Sequence, residues 1–311
     1  MAHYNNAYYS KLTDRTIVRI LGTDGKAFLQ DLITNDIAKL TPDSPIFTAL
    51  LTPQGKLLFD FIVWESAKTE QREACLWLDA DKQSTAQLAK RLNFYKLRAA
   101  IEIAITDLPV YALWTEDSTH DLPTPTLPAL PALSTPPTLP APPLVGFAPD
   151  PRKTALGVRF IGDLPTQEHL QNIVEAPLAD YHAHRIACGV PQGIDELGME
   201  QNFPLECNFH ELNAIDFQKG CFIGQEVTSR IYRRANIRKK IHVIMADTEL
   251  TRGQPIIAHI QDKETDKMRQ VGEVCAIAGQ KALALLRQDS LTHTLFVNDK
   301  PVQIISKTHD T

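Results

Sequence analysis

Residues Phe203–Lys240 read FPLECNFHELNAIDFQKGCFIGQEVTSRIYRRANIRKK, and within them Lys219-Gly220-Cys221-Phe222-Ile223-Gly224-Gln225-Glu226 is dense in special residue types. Two glycines flank a cysteine and two apolar residues, and an amide–carboxylate pair follows. Glycine lets the backbone take a positive φ or approach another group closely. A helix is expected to start at Gly224. A thiol between that start and Lys219 gains thiolate character, because cations and helix N-termini both stabilise negative charge. The same residues also fit a tight turn into a helix with a small, buried, inert cysteine.

Downstream, Arg230, Arg233, Arg234, Arg238, Lys239 and Lys240 make a basic run. Such a run is usually a solvated face, and it is also an electrostatic footprint for RNA phosphates. Tyr232 is the only aromatic among them, so base stacking has little support. Arg230 lies one helical turn from Glu226, the spacing of a plain ion pair. Past Lys240 the pattern changes to short strands at Ile241–Ala246, Pro255–His259, Val271–Ala278, Ala282–Leu286 and Val302–Ser306, a spacing that predicts a small C-terminal barrel.

Upstream, Tyr181–Pro191 (YHAHRIACGVP) places Tyr181, Arg185 and Cys188 on one face of a helix that stops at Gly189 and Pro191. His182 and His184 are two apart and do not share a helical face, so no metal pair is expected there. From Asp121 to Pro151 there are 11 prolines in 31 residues. That density blocks helix and sheet ladders and favours extended polyproline II, so residues 115–149 are expected to form a surface insert. Gln167–Val174 reads as helical.

Nearer the N-terminus, Thr16–Leu21 reads as a strand. A helix follows with Asp24 as candidate N-cap and Ala27, Phe28, Leu32 and Ile33 at helical spacing. Asn35 and Asp36 at its end are either polar site residues or ordinary capping groups. Phe47–Leu51 and Leu57–Trp64 form a hairpin about a Pro53-Gln54-Gly55 turn. Cys75–Asp79, Ile101–Ile105 and Val110–Trp114 are further strands, and Asp81 to about Asn93 is helical. Strands around one or two helices predict an α+β arrangement.

A length of 311 residues fits two or three domains, and 43% apolar and 22% charged residues are those of a soluble globular chain. A net charge of −5 gives no overall case for nucleic acid. The five cysteines include no CxxC pair, and no Cys/His spacing fits zinc, so no metal site is expected. No apolar run reaches membrane-spanning length, and the first residues show neither a signal h-region nor an Arg-rich transit pattern. A cytoplasmic location is expected, or the mitochondrial matrix for a processed eukaryotic form.

Lys219–Glu226 fits the pattern K-G-C-[FY]-x-G-Q-E at eight consecutive positions. On it the chain resembles the YgfZ/Iba57 family of folate-binding proteins, relatives of the glycine-cleavage T-protein, an aminomethyltransferase. Asp150-Pro151-Arg152 followed by Leu156-Gly157-Val158-Arg159, the form of Tyr181–Pro191, and Gly272-Glu273-Val274 are similar to other family elements. The resemblance spans most of the chain except the proline-rich stretch. It implies an α+β, three-domain, T-protein-like ring with a central folate channel and a small C-terminal β-barrel. The implied domains are 1–45 plus 150–238, a ferredoxin-like 46–114, the 115–149 insert, and the barrel at 239–311.

The resemblance also implies a function. It is assembly or repair of iron–sulfur clusters in [4Fe–4S] enzymes, with tetrahydrofolate or a related reduced folate as cofactor. Iron–sulfur client or assembly proteins are the implied partners, with a transient cluster as a further possibility. Cys221 is the implied functional thiol, as nucleophile, redox group or transient cluster ligand; alone it cannot hold a cluster, which takes four ligands. Glu206 resembles the T-protein glutamate that holds the pterin, and a carboxylate can accept from a 2-amino group and the adjacent ring N–H together. An ion pair with a nearby arginine is the other reading of Glu206. Lys219 would meet folate's glutamyl carboxylates or solvent. Gln225, Glu226, Arg230, Asn35 and Asp36 complete the candidate folate set, and the basic run could attract a polyglutamyl tail.

Two other functions stay open. T-proteins carry an Asp-Asp pair in this hairpin, whereas the corresponding run here is Gly55-Lys56-Leu57-Leu58-Phe59-Asp60. Phe59 cannot take a proton or stabilise an iminium charge, which disfavours a tetrahydrofolate-dependent aminomethyltransferase. A tRNA-modification-linked or RNA-binding role would run through Arg230–Lys240.

Overall fold

The structure, a computed structural model, describes residues 7–66, 75–115, 146–163, 173–235, 237–262 and 265–305. The strands begin with β1 (Ala7–Lys11), β2 (Arg15–Leu21), β3 (Ile46–Leu51), β4 (Leu57–Glu65), β5 (Cys75–Asp81), β6 (Glu102–Thr106), β7 (Val110–Thr115), β8 (Gly146–Pro149), β9 (Val158–Ile161) and β10 (Ile173–Glu175). They continue with β11 (Lys239–Ala246), β12 (Pro255–Asp262), β13 (Thr265–Ala278), β14 (Lys281–Arg287), β15 (Leu295–Val297) and β16 (Lys300–Ile304). The helices are α1 (Gly25–Gln30), α2 (Thr85–Lys96), α3 (Leu178–Ala187), α4 (Gly193–Leu197) and α5 (Gln225–Arg233). The fold is mixed α+β. It divides into two compact units: Met1–Leu29, Ile37–Phe47 and Phe61–Tyr181, and then Gln30–Asp36, Thr48–Asp60 and His182–Thr311.

One sheet of the first unit has the order β10-β1-β7-β9-β8, with β1 parallel to β10 and antiparallel to β7. A second five-stranded sheet runs β3-β4-β5-β2-β6. Helix α2 lies against β6 and β2, and its buried Leu88 and Leu92 keep the expected i, i+4 spacing.

Three features differ from the sequence reading. The proline-rich insert was expected to run to Pro149, but Gly146–Pro149 is β8, paired with β9 from Gly146↔Ile161 to Pro149↔Val158. As the outermost strand of its sheet, β8 tolerates a proline that cannot donate to a ladder. The expected helix at Gln167–Val174 gives way at its C-terminal end to β10. There the β-branched Ile173 and Val174 suit a strand and pair with Ala7 and Tyr8. The remaining parts of these two stretches, 116–145 and 167–172, lie outside the described residues. Helix α1 ends at Gln30, before Leu32 and Ile33.

The first unit also buries a charge network. Asp79 accepts from Arg15 Nε at 2.7 Å and from Arg159 Nη1, and its carbonyl accepts from Arg15 Nη2 at 2.6 Å. Asp150 accepts from Arg152 Nη2 at 2.7 Å and Arg159 Nε at 3.1 Å. The Tyr181 hydroxyl accepts from Arg152 Nη2 and Arg159 Nη2 at 3.0 and 2.7 Å. Burial pulls the Asp150 carboxyl up, but Arg152 and Arg159 together hold it well below the usual carboxylate range.

In the second unit β11-β14-β13-β12-β15-β16 close into a barrel, which leaves no edge strand. Ala282, Ala284 and Leu286 alternate along β14 into a core shared with Ile244, Ile256 and Val274. Irregularities between Ile256 and Ile257 and between Val274 and Ala276 mark bulges of the kind that bend strands into barrels. The five expected strands are present. The sixth, β15, has three residues and gave too short a pattern to read.

Candidate functional site

The Cys221 loop lies in the second unit, and three contacts fix its backbone. Lys219 precedes the cysteine by two residues. Its side chain is buried, and Nζ donates to the carbonyls of Gln30, Ile33 and Asn35 at 2.6, 2.7 and 2.9 Å. An ammonium has three N–H donors, so all are used. The sequence expectation that Lys219 meets a folate carboxylate or solvent is corrected: the side chain ties its own loop to residues 30–35. Burial lowers its pKa to about 8, against the pull of Asp36, Asp31 and Asp216.

On the other side of the cysteine, Gly224 caps α5 with φ +80°. A Cβ here would sit 2.7 Å from the Thr52 carbonyl and 3.0 Å from Gly55 Cα. The β3–β4 turn therefore packs directly on the start of α5, and Gly55 at its corner (φ +77°) leaves room for Val227. The third contact is weaker: Gln225 Nε2 donates to the Gly220 carbonyl at 3.4 Å.

Between these anchors Phe222 is buried and Cys221 is exposed. The other four cysteines are buried. Burial pushes Cys75 up to about 11 and Cys275 up to about 12, so these two are thiols at neutral pH. The reading of Cys221 as an inert buried residue does not hold.

Asn35 is also buried. Its Nδ2 donates to the Asn213 carbonyl at 2.8 Å and its Oδ1 accepts from Asp36 N–H at 2.8 Å. This is the local, capping-type use of the side chain, in place of the ligand contact. Asp36 is half-buried and accepts from Gln30 Nε2 at 2.9 Å. Neighbouring Thr34 donates to the Ala214 carbonyl at 2.7 Å, so residues 34–35 hold the 213–214 turn from two directions.

Glu206 sits in a run of turns rather than a regular helix. One carboxylate oxygen, Oε2, accepts from Phe203 N–H at 2.8 Å. The residue is half-buried, and among the described residues Oε1 has no partner. The other reading of Glu206, an ion pair with a nearby arginine, finds no arginine contact among them.

Glu226 and Arg230 are both exposed and, among the described residues, do not pair despite their spacing. Both line a surface cleft of about 540 Å³. Phe217 lines it too, stacked on Tyr232 at 4.0 Å between ring centroids. That pairing was missed because the rings lie 15 residues apart in sequence and only Tyr232 falls in the basic run. Phe59 is buried, and Asp60 Oδ1 accepts from Gly193 N–H at 3.1 Å.

Known proteins share this architecture. The family described as CAF17, C-terminal beta-barrel domain, matches residues 238–308, which contain the whole barrel. The crystal structure of glycine cleavage system aminomethyltransferase T from Bartonella henselae superposes with a TM-score of 0.69 at 13% identity, covering 97% of this chain and 86% of that one. At that identity the likeness shows the fold alone. The relative named iron-sulfur cluster assembly factor IBA57 homolog, mitochondrial, of Neosartorya fischeri is 28% identical, over 94% of this chain and 72% of its own length. The mouse protein named iron-sulfur cluster assembly factor IBA57, mitochondrial, is 27% identical, over 96% of this chain and 82% of its own.

The fold and barrel are those of a T-protein-like protein. Within that class the chain is similar, over most of its length, to proteins named iron-sulfur cluster assembly factor IBA57.

Proposed function

We propose that the chain is a folate-dependent accessory protein for assembly or repair of iron–sulfur clusters, with [4Fe–4S] enzymes as clients. The relatives' names support the iron–sulfur part. The observation that carries the reading is the thiol itself: of five cysteines only Cys221 is exposed, on a loop held by Lys219 on one side and Gly224 on the other. A fixed, accessible cysteine sulfur can contribute one ligand to a cluster in transit while a partner contributes the others. A reducing compartment suits that thiol, either the cytoplasm or the matrix for a processed eukaryotic form.

Glu206 fits a reduced folate. One oxygen is fixed by backbone, the other is open, and half-burial strengthens a bidentate contact to the pterin's amino and ring N–H groups. Tetrahydrofolate supplies a reduced pterin and a carboxylate tail. Asp36, Gln225, Glu226 and Arg230 are proposed to border it, while Lys219 and Asn35 act by holding the loop. Aminomethyl transfer has less support, because buried Phe59 removes a carboxylate that such chemistry uses.

Anaerobic calorimetric titration with tetrahydrofolate tests the folate half. Saturable binding is expected for the native chain, with a loss of at least about 100-fold in Glu206→Ala, the effect of removing a bidentate charged contact. No heat with the native chain would sink this half. Cys221→Ala is expected to keep folate binding but to lose at least about tenfold in the rate of restoring a [4Fe–4S] client, the cost of one lost ligand. An unchanged rate would remove the thiol from the reading.

A further inference from the structure

The cleft at α5 is lined by Arg230, Arg233 and Arg234, along with Gln225, Glu226 and Ser229, above the Phe217–Tyr232 stack. The three arginines are exposed, and none has an ion-pair partner among the described residues. Positions 230, 233 and 234 share one helical face, where like charges three and four apart repel. The helix dipole offsets part of this at the last turn, but it calls for no cleft. A concave surface with unpaired guanidinium groups is complementary to carboxylates, which guanidinium binds through two parallel hydrogen bonds. Gln225 belongs both to this lining and to the Cys221 loop, through its contact with the Gly220 carbonyl.

We propose that the α5 cleft docks an acidic segment of a partner protein, and so delivers that partner to Cys221. The proposal rests on the reading that Cys221 serves partner proteins. One observation favours a protein over RNA. One face of Tyr232 is already covered by Phe217, which leaves little platform for successive bases.

The experiment is fluorescence anisotropy of the full chain with a labelled α-linked hexaglutamate peptide, at about 50 and 200 mM salt, where screening differs strongly. Two comparison probes are a γ-linked hexaglutamate and a single-stranded RNA hexamer. The native chain is expected to bind the α-linked peptide saturably and more weakly at high salt. An Arg233→Ala/Arg234→Ala variant is expected to lose about tenfold or more, as for two charged contacts. Lys239→Ala removes an exposed charge outside the cleft and is expected to change binding less than about twofold, as rim charges do. Absence of peptide binding by the native chain, an equal loss in Lys239→Ala, or tighter binding of RNA would each overturn the proposal. Tighter binding of the γ-linked probe would also overturn it, by assigning the cleft to a folate tail. Tetrahydrofolate titration of the same double variant separates the two readings, because neither arginine is in the proposed folate set. Loss of peptide binding with folate binding intact supports the docking site alone. Peptide binding by a native chain that binds no folate leaves the docking site standing without the folate half.

Discussion

Asp79→Ala is expected to destabilise the protein by about 3–5 kcal/mol, the cost of removing one partner from a buried ion pair. The side chain is fully buried and bridges two arginines that are equally buried: Arg15 on one oxygen and Arg159 on the other. Removal leaves Arg15, Arg152 and Arg159 with Asp150 as the remaining carboxylate of the network. No solvent reaches the side chain of Arg159 to compensate. Arg15 is already imperfectly served, since its Nη1 has no hydrogen-bond partner among the described residues. In thermal unfolding the variant is expected to melt about 6–20 °C below the native chain, at about 2–4 °C per kcal/mol for a domain of this size. Arg15→Met on the Asp79→Ala background should recover part of the loss, because it removes a charge the first substitution stranded. A single-variant loss below about 1 kcal/mol would show that water enters the network and that the charges are not sealed in.

Sequence alone exposed parts of this network and hid its logic. Arg152 and Arg159 were visible as family-like elements, but nothing marked Asp79, which sits in an unremarkable strand run, Cys75–Asp81. Its partners come from residues 64 and 80 positions away in the chain, and pairing at such separation leaves no local pattern. The barrel was legible because short apolar strands such as β14 recur at regular spacing between turn residues. The hairpin was legible because Gly55 punctuates it. Edge strands β8 and β10 were not, since a proline-rich run and a short Ile-Val pair carry signals for other structures until a neighbouring strand recruits them. At the candidate site, the motif singled out Cys221, which the structure exposes, and Gly224, which takes a positive φ. It could not say which polar side chains face outward. Lys219 and Asn35 turned inward because backbone carbonyls of neighbouring loops needed donors, a demand that becomes visible only when those loops are brought together.

That demand makes Lys219→Met the second substitution with a large expected effect. Methionine keeps the length and apolar stem of the side chain but donates nothing, so the carbonyls of Gln30, Ile33 and Asn35 lose their shared partner. Some of them will find other donors. A net loss of about 3 kcal/mol is expected, within the range for a few unsatisfied buried acceptors. The pH dependence distinguishes this cause from lost packing. The folded-state pKa of Lys219 is about 8, below its ordinary value of 10.5, because burial disfavours the charged form. Between those two values the unfolded chain binds the proton more than the folded chain does. Stability therefore rises with pH across that window. Below about pH 8 both states hold the proton, and this group contributes no slope. The methionine variant lacks the group, so the stability difference between native and variant is expected to be flat from pH 6 to 8 and to widen from 8 towards 10.5. Titrations common to both chains cancel in that difference. Urea unfolding of the two chains at several pH values measures it directly. Parallel profiles through pH 10 would mean that the ammonium is not buried and that Lys219 does not hold the Cys221 loop through the three carbonyls. A widening gap would tie the geometry beside the thiol to one buried charge.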